Sequence, residues 1–247
     1  MGSSVIAIIP ARFESTRLPG KPLALIHGKP MIQHVYERTA AARGVDRVLV
    51  ATDDDAVFRA VERFGGEVVM TAKSHESGTD RIAEVAHGLE EDIIVNVQGD
   101  LPFLDPGMVE SAAAPMHEDA SIPMATLSTA IREQEEWQNP NVVKVVTDER
   151  GFALYFSRSP IPFHRDGLPE GQPHGQRHIG LYVYRRDFLL AFARLRPTRT
   201  ERSEKLEQLR ALEHGFRIKV VEVEKAAIEV DTPQDLKRAR SMGALGG

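Results

Sequence analysis

The chain has 247 residues, 42% hydrophobic and 27% charged, the composition of a folded globular protein with room for one large α/β domain or two modest ones. Its net charge of −5 argues against broad nucleic-acid binding, and the absence of cysteine excludes disulfides, thiolate catalysis and cysteine-ligated zinc or iron–sulfur sites. No apolar run approaches the roughly 20 residues of a membrane span and no basic segment precedes the first apolar stretch, so a cytoplasmic protein with no signal peptide and no membrane partner is expected.

Residues 5–9 form a near-continuous apolar run, the pattern of a strand covered on both faces. The run empties into a loop carrying Arg12, Arg17 and Lys21, with Ser15, Thr16 and Gly20 among them. Three cations beside hydroxyls and a glycine suit several phosphate oxygens, and Gly20 with the flanking prolines can set the loop's shape before a ligand arrives. A helix is predicted over 30–43, with Met31, Ile32, Val35, Tyr36 and Thr39 on one face. A strand at 47–52 ends in Asp53-Asp54-Asp55, a start signal for a helix over 56–64. Strands at 67–71 and 92–97 flank a helix at 79–89, and the second of them runs into Gln98-Gly99-Asp100. Strand and helix alternating in this way predict a mainly parallel sheet.

The pattern changes near residue 120. Segments 124–131, 142–147, 153–157 and 179–184 are β-like with hairpin-like connections, and 160–173 is a Pro/Gly/His-rich loop. A helix at 204–214, a strand at 217–223 and a helix at 231–241 follow. The expected organisation is a single domain, its core about 1–120 and 185–247, with an inserted antiparallel lobe at about 121–184.

Ligands of an open parallel sheet gather beyond the carboxyl ends of the strands. Asp100 and Asp231 each stand directly after an apolar strand-like run. With the cationic loop they suggest a magnesium site for a polyphosphate, because magnesium takes few protein carboxylates and completes its shell with phosphate and water. Each has a plainer alternative. Asp231 before Thr232-Pro233 also fits a helix N-cap, and Asp100 before Leu101-Pro102 also fits a turn. His178 and Tyr182 share a face by even spacing on a strand, and a lone histidine there is commonly a hydrogen-bonded structural residue. HExxH, G-x-S-x-G, G-x-x-x-x-G-K-[ST] and G-x-G-x-x-G patterns are all missing.

The runs IIPARFESTRLPGKPL at 8–23, ATDD at 51–54, HESGTDRIAEV at 75–85, VNVQGD at 95–100, NPNVVKVV at 139–146, ALYFSRSPIPF at 153–163, RHIGLYVY at 177–184, EKLEQLR at 204–210 and VDTPQDL at 230–236 together carry a resemblance. From about residue 5 to 239 the chain resembles the 3-deoxy-manno-octulosonate (Kdo) cytidylyltransferase family. The resemblance implies an α/β, Rossmann-like nucleotide-diphospho-sugar transferase fold, a mainly parallel sheet with an inserted smaller antiparallel lobe, and a homodimer. It implies transfer of CMP from CTP to Kdo with magnesium, on the route to lipopolysaccharide.

By position, the resemblance puts Arg12, Arg17 and Lys21 on the CTP phosphates. It puts the main chain around Ala11 and residues Ser77, Gly78 and Arg81 on the nucleotide, and Asp100 and Asp231 on the metal. Arg12, Lys21, Asp100 and Asp231 are the implied catalytic set. Gln98, Arg158, His178, Tyr182, Glu207 and Gln208 match the sugar-acid pocket. Leu101 departs from the acidic or polar residue common after VQGD, and 164–176 follows no firm family pattern. A transferase for another acidic sugar shares the loop but differs in the pocket; a silent nucleotide-binding module has no need of both Asp100 and Asp231.

Overall fold

The first strand, β1 (Val5–Ala11), is buried along almost its whole length, with Ile6 to Ile9 at 0% exposure. Its position explains the unbroken apolar run. It pairs in parallel on one side with β4 (Arg47–Thr52) and on the other with β6 (Ile93–Asn96), and the helices at 31–40 and 78–86 pack against it, so it is covered at both edges and buried within the sheet. The computed structural model describes residues 3–14, 17–75 and 77–242, so Ser15 and Thr16 of the cationic loop lie outside the described residues. Between β1 and β4 come the short antiparallel pair β2 (Leu25–Ile26) and β3 (Lys29–Pro30) and helix α1 (Met31–Ala40). Helix α2 (Asp55–Arg63) leads to β5 (Glu67–Met70), which pairs in parallel with β4, and α3 (Gly78–Ala86) leads to β6.

The triple aspartate works as its spacing predicts. Asp54 accepts from the N–H groups of Ala56 and Val57 and so starts α2. Helix α4 (Pro106–Glu118) follows β6 in a segment to which the sequence assigns no element, and Pro115 lies inside it.

The chain groups into two units, one holding the residues up to Glu110 and those from Ala227, the other Ser111–Ala226. The second unit is thus an insertion that also takes in 111–120 and 185–226, which the sequence assigns to the core. Its strands are β7 (Met124–Ile131), β8 (Lys144–Thr147), β9 (Ala153–Ser157), β10 (Gly175–Arg185) and β11 (Ile218–Glu222), with α5 (Gln134–Gln138) between β7 and β8. β10 pairs antiparallel with β7 and β8, β8 pairs antiparallel with β9, and β11 pairs in parallel with β7. Helix α6 (Arg186–Phe192) continues directly from β10.

The helix predicted over 204–214 is two helices, α7 (Arg199–Glu204) and α8 (Gln208–Glu213). Lys205 sits between them at φ 56°, the left-handed conformation that ends a helix. The last helix, α9 (Pro233–Ser241), belongs to the first unit. Among the described residues no helix is long and apolar enough to cross a membrane.

Candidate active site

The loop after β1 is shaped by backbone chemistry and apolar packing before any charge is counted. Gly20 has φ 67°, a conformation that favours glycine, and its N–H donates to Phe13 O at 3.2 Å. Leu18, Ile26 and Met31 then pack with Val230, Leu236 and Ala239 in one buried cluster. The Val230 N–H donates to Asp100 O at 2.9 Å. These contacts deliver residues far apart in sequence to one point.

At that point Lys21 Nζ donates to Asp100 Oδ2 at 2.8 Å and to Asp231 Oδ1 at 2.7 Å. Arg17 Nη2 lies 3.0 Å from Asp231 Oδ2 and is largely exposed. The Lys21 side chain is 15% exposed and each carboxylate 23%. Burial pulls the Lys21 pKa down, but Asp100 and then Asp231 outweigh it and the value is raised above the ordinary 10.5.

Asp231 is not the cap of α9. Thr232 Oγ1 accepts from the Asp235 N–H at 3.2 Å and Asp235 Oδ2 accepts back from the Thr232 N–H at 2.9 Å, a reciprocal capping box. That arrangement leaves the Asp231 carboxylate to Lys21 and Arg17. The donor set fits a magnesium ion. Two hard carboxylate oxygens flank one point, marked by the Lys21 ammonium, and among the described residues no cluster of three or more His, Asp or Glu could cage an ion alone. Such a site suits a cation that keeps places for phosphate oxygens and water.

Arg12, Phe13, Glu14, Pro19, Gly20, Asp53, Asp54, Lys73 and His75 line a cleft of about 510 Å³ in the first unit. Arg12 Nη2 is buried without a hydrogen-bond partner among the described residues, as expected of a donor placed for an anion. Asp53, Lys73 and His75 add to the sequence-based set. The signal for them is positional, since they follow the carboxyl ends of β4 and β5.

The N-terminus of α3 meets the end of β1. A Cβ on Gly78 would stand 3.3 Å from Pro10 Cγ, and one on Gly99 3.2 Å from Pro10 O, so glycine permits a close approach to the Pro10 ring in the first case and to its main-chain carbonyl in the second. Ser77 Oγ is engaged with Asp80 in a capping box. Arg81 is placed differently from a direct nucleotide ligand: it is 0% exposed, with Nη2 2.7 Å from Asp53 Oδ2 and Nη1 bonded to Thr71 Oγ1. It therefore holds Asp53 at the cleft from behind. Arg81→Met should destabilise the fold by about 3 kcal/mol in urea unfolding, because it strands a largely buried carboxylate; a loss below about 1 kcal/mol would show that Asp53 needs no partner.

Gln98 Nε2 donates to Asn96 Oδ1 at 3.3 Å, just before Asp100. Leu101 is 2% exposed, so the residue after VQGD contributes packing where the family pattern would have a polar group.

In the second unit, β10 carries a bulge between Ile179 and Tyr182. Four residues of regular strand would separate His178 from Tyr182 by about 13 Å. The bulge brings their rings to 5.4 Å. Thr126 Oγ1 lies 2.8 Å from Leu181 O, 3.1 Å from Ile179 O and 3.0 Å from His178 Nε2. Carbonyls only accept, so the hydroxyl proton goes to one of them and His178 Nε2–H donates to Thr126, which fixes a neutral tautomer.

Burial, with Arg177 adding, pushes the His178 pKa down from 6.5 to about 3, and burial with Glu207 pushes the Tyr182 phenol up. Between pH 6.5 and about 3 the unfolded chain takes up a proton at His178 that the folded chain refuses. Stability is therefore present above 6.5 and falls by up to about 1.4 kcal/mol per pH unit below it from this residue. Urea unfolding at about pH 7 and about pH 5.5 should show that loss, and His178→Gln should remove it; an unchanged slope in the variant would contradict the assignment.

Gln208 is buried at the start of α8, and Glu207 Oε1 lies 3.7 Å from Arg210 Nη2. Arg158 Nε donates to Glu204 O at 2.7 Å and its Nη1 to Pro140 O at 3.0 Å.

The family model for cytidylyltransferases matches residues 6–221, nearly nine-tenths of the described fold. The chain belongs to the cytidylyltransferase family. It is 57% identical to the 3-deoxy-manno-octulosonate cytidylyltransferase of Geobacter sulfurreducens over 95% of this chain and 97% of that protein. It is 58% identical to the enzyme of the same name from Pelobacter propionicus, over 96% of each. The solved structure of a CMP:2-keto-3-deoxy-manno-octonic acid synthetase complexed with CTP superimposes with a TM-score of 0.93, at 48% identity, over 97% of this chain and 98% of that one. The chain is thus a Kdo-type cytidylyltransferase with the α/β fold of that enzyme.

Proposed function

We propose that the protein transfers the cytidylyl group of CTP to Kdo, releasing pyrophosphate and forming CMP-Kdo for lipopolysaccharide synthesis. The observation that carries this is the pairing of Lys21 with both Asp100 and Asp231, next to a cleft lined by Arg12, whose Nη2 has no hydrogen-bond partner among the described residues. A bond forms from the anomeric oxygen of Kdo to the α-phosphorus, the bond from that phosphorus to the β-phosphate bridge oxygen breaks, and the hydroxyl proton passes to water. Such transfer depends on positioning and charge neutralisation rather than covalent catalysis.

Arg12 and Arg17 grip the phosphates, and Lys21 moves its charge from the carboxylates to the departing pyrophosphate. Ala11 main chain and the α3 N-terminus at Ser77 and Gly78 hold the nucleotide, with Arg81 acting through Asp53. Asp100 and Asp231 hold magnesium, which when bound neutralises the triphosphate and polarises its α-phosphoryl group. For the acceptor, Arg158 binds the sugar carboxylate, since a guanidinium fits a carboxylate with two donors. Gln98, His178, Tyr182, Glu207 and Gln208 contact its hydroxyls; His178 and Tyr182 do so as neutral groups across the physiological range. The same reading makes the protein cytoplasmic and a homodimer.

Pyrophosphate release with CTP and magnesium, measured across Kdo, amino-Kdo and sialic acid, tests this. Release with Kdo is expected. Activity on sialic acid without activity on Kdo would overturn the substrate, and silence with all three would favour a binding module.

A further inference from the structure

Lys144 is fully buried, at 0% exposure, and among the described residues no carboxylate bonds its ammonium. It donates instead to three carbonyls, Asn139 O at 3.0 Å, Val142 O at 2.7 Å and Arg158 O at 2.6 Å. An ammonium has three donors, so these three acceptors satisfy it. A buried cation nevertheless adds little stability over an apolar side chain of its size, and burial with Arg158 nearby pushes its pKa down against the pull of Glu204. Its place asks for another reason.

Arg158 supplies one. Its own carbonyl is held by Lys144, its N–H donates to Glu204 Oε2 at 3.0 Å, and its Nε donates to Glu204 O at 2.7 Å. Ser157 Oγ donates to the other carboxylate oxygen of Glu204 at 2.6 Å, which fixes that carboxylate in turn. Nη1 rests on Pro140 O, and Pro140 lies in the turn whose carbonyls at 139 and 142 Lys144 gathers. Lys144 therefore holds both the main chain of Arg158 and the support beneath its tip. A guanidinium has five N–H donors. Two are spent on carbonyls, and among the described residues Nη2 makes no hydrogen bond, which leaves the end of the guanidinium formed by Nη1 and Nη2 for a planar anion.

We propose that Lys144 and Glu204 are positioning residues that lock Arg158 so that this end meets the carboxylate of the sugar-acid acceptor. The proposal rests on the function proposed above. A ligand group held in place by its supports keeps its geometry when the substrate arrives, and losing a support loosens it.

Lys144→Met, Glu204→Gln and Arg158→Ala, each alone and the first two combined with the third, should be assayed by pyrophosphate release. Lys144→Met and Glu204→Gln should each raise KM for Kdo about tenfold while leaving KM for CTP within about twofold. In the Arg158→Ala background neither should add anything. Equal effects on both substrates, an unmoved KM for Kdo, or full addition in the Arg158→Ala background would overturn the proposal, because a merely structural role produces those results. If Lys144→Met does not fold, Glu204→Gln decides by the same readouts, since it keeps the three carbonyl bonds of Lys144. Wild-type silence on Kdo would overturn the function as well, whereas an active wild type with an unmoved KM overturns this proposal alone.

Discussion

Asp100→Ala and Asp231→Ala are each expected to lower kcat at least about a thousandfold at saturating magnesium, with the fold intact. The two carboxylates are far apart in the sequence and converge on one ammonium at 2.8 and 2.7 Å. Either truncation leaves Lys21 with a partner, so no buried charge is stranded and the stability loss should be about 1 kcal/mol. Neither residue caps a helix or belongs to the apolar cluster, since Thr232 caps α9 and the cluster takes Val230, Leu236 and Ala239 from this part of the chain. A large catalytic loss with a small stability loss is the signature of a group kept for chemistry. Wild-type turnover in either variant would remove the metal site from the account.

Lys21→Met should lower kcat by about a hundredfold to a thousandfold, and its stability should respond to metal in a way the wild type's does not. Removing the ammonium leaves Asp100 without its cation and Asp231 with the largely exposed Arg17, so the two carboxylates repel and the fold is destabilised. Millimolar magnesium should then raise Tm in the variant more than in the wild type, where Lys21 competes for the same oxygens. An equal response in both proteins would mean that metal and lysine do not share those carboxylates.

The pH dependence has a definite sign. The folded pKa of Lys21 is raised, so the stability it contributes is fully present below the unfolded value of 10.5 and is lost only as pH rises through the higher folded value. Across neutral pH this lysine adds no slope; the slope from His178 sets in first below 6.5, and carboxylates held below their ordinary values, such as Glu37 beside Lys29 and Glu84 beside His75, add to the loss in more acid solution.

What could be read from the chain divides along physical lines. The unbroken apolar run of β1 announces a strand with two covered faces, and Asp54 announces the start of α2, because both signals are local. Asp100 lies beyond the carboxyl end of β6, as its sequence position suggests, whereas among the described residues no strand runs into Asp231, which the bond from Val230 N–H to Asp100 O brings alongside. The choice between cap and metal ligand for Asp231 was open, because Asp-Thr-Pro satisfies both patterns; it turns on Asp235, three residues beyond Thr232.

Tertiary effects were out of reach. The bulge that puts the His178 and Tyr182 rings together depends on pairing with β7, and even spacing predicts only that the two share a face. Helix α4 carries an internal proline, and the break between α7 and α8 depends on a left-handed lysine, which spacing does not reveal. The resemblance puts Arg81 on the nucleotide, yet the packing of α3 buries it against Asp53 and Thr71.

CTP labelled at the α-phosphorus, incubated with Kdo, magnesium and the wild-type protein, tests the central claim most directly. The account predicts that the label moves to a sugar nucleotide with release of an equal amount of unlabelled pyrophosphate, and that Asp231→Ala abolishes both. Label recovered only as CTP, or as CMP or CDP formed whether or not Kdo is present, would contradict it.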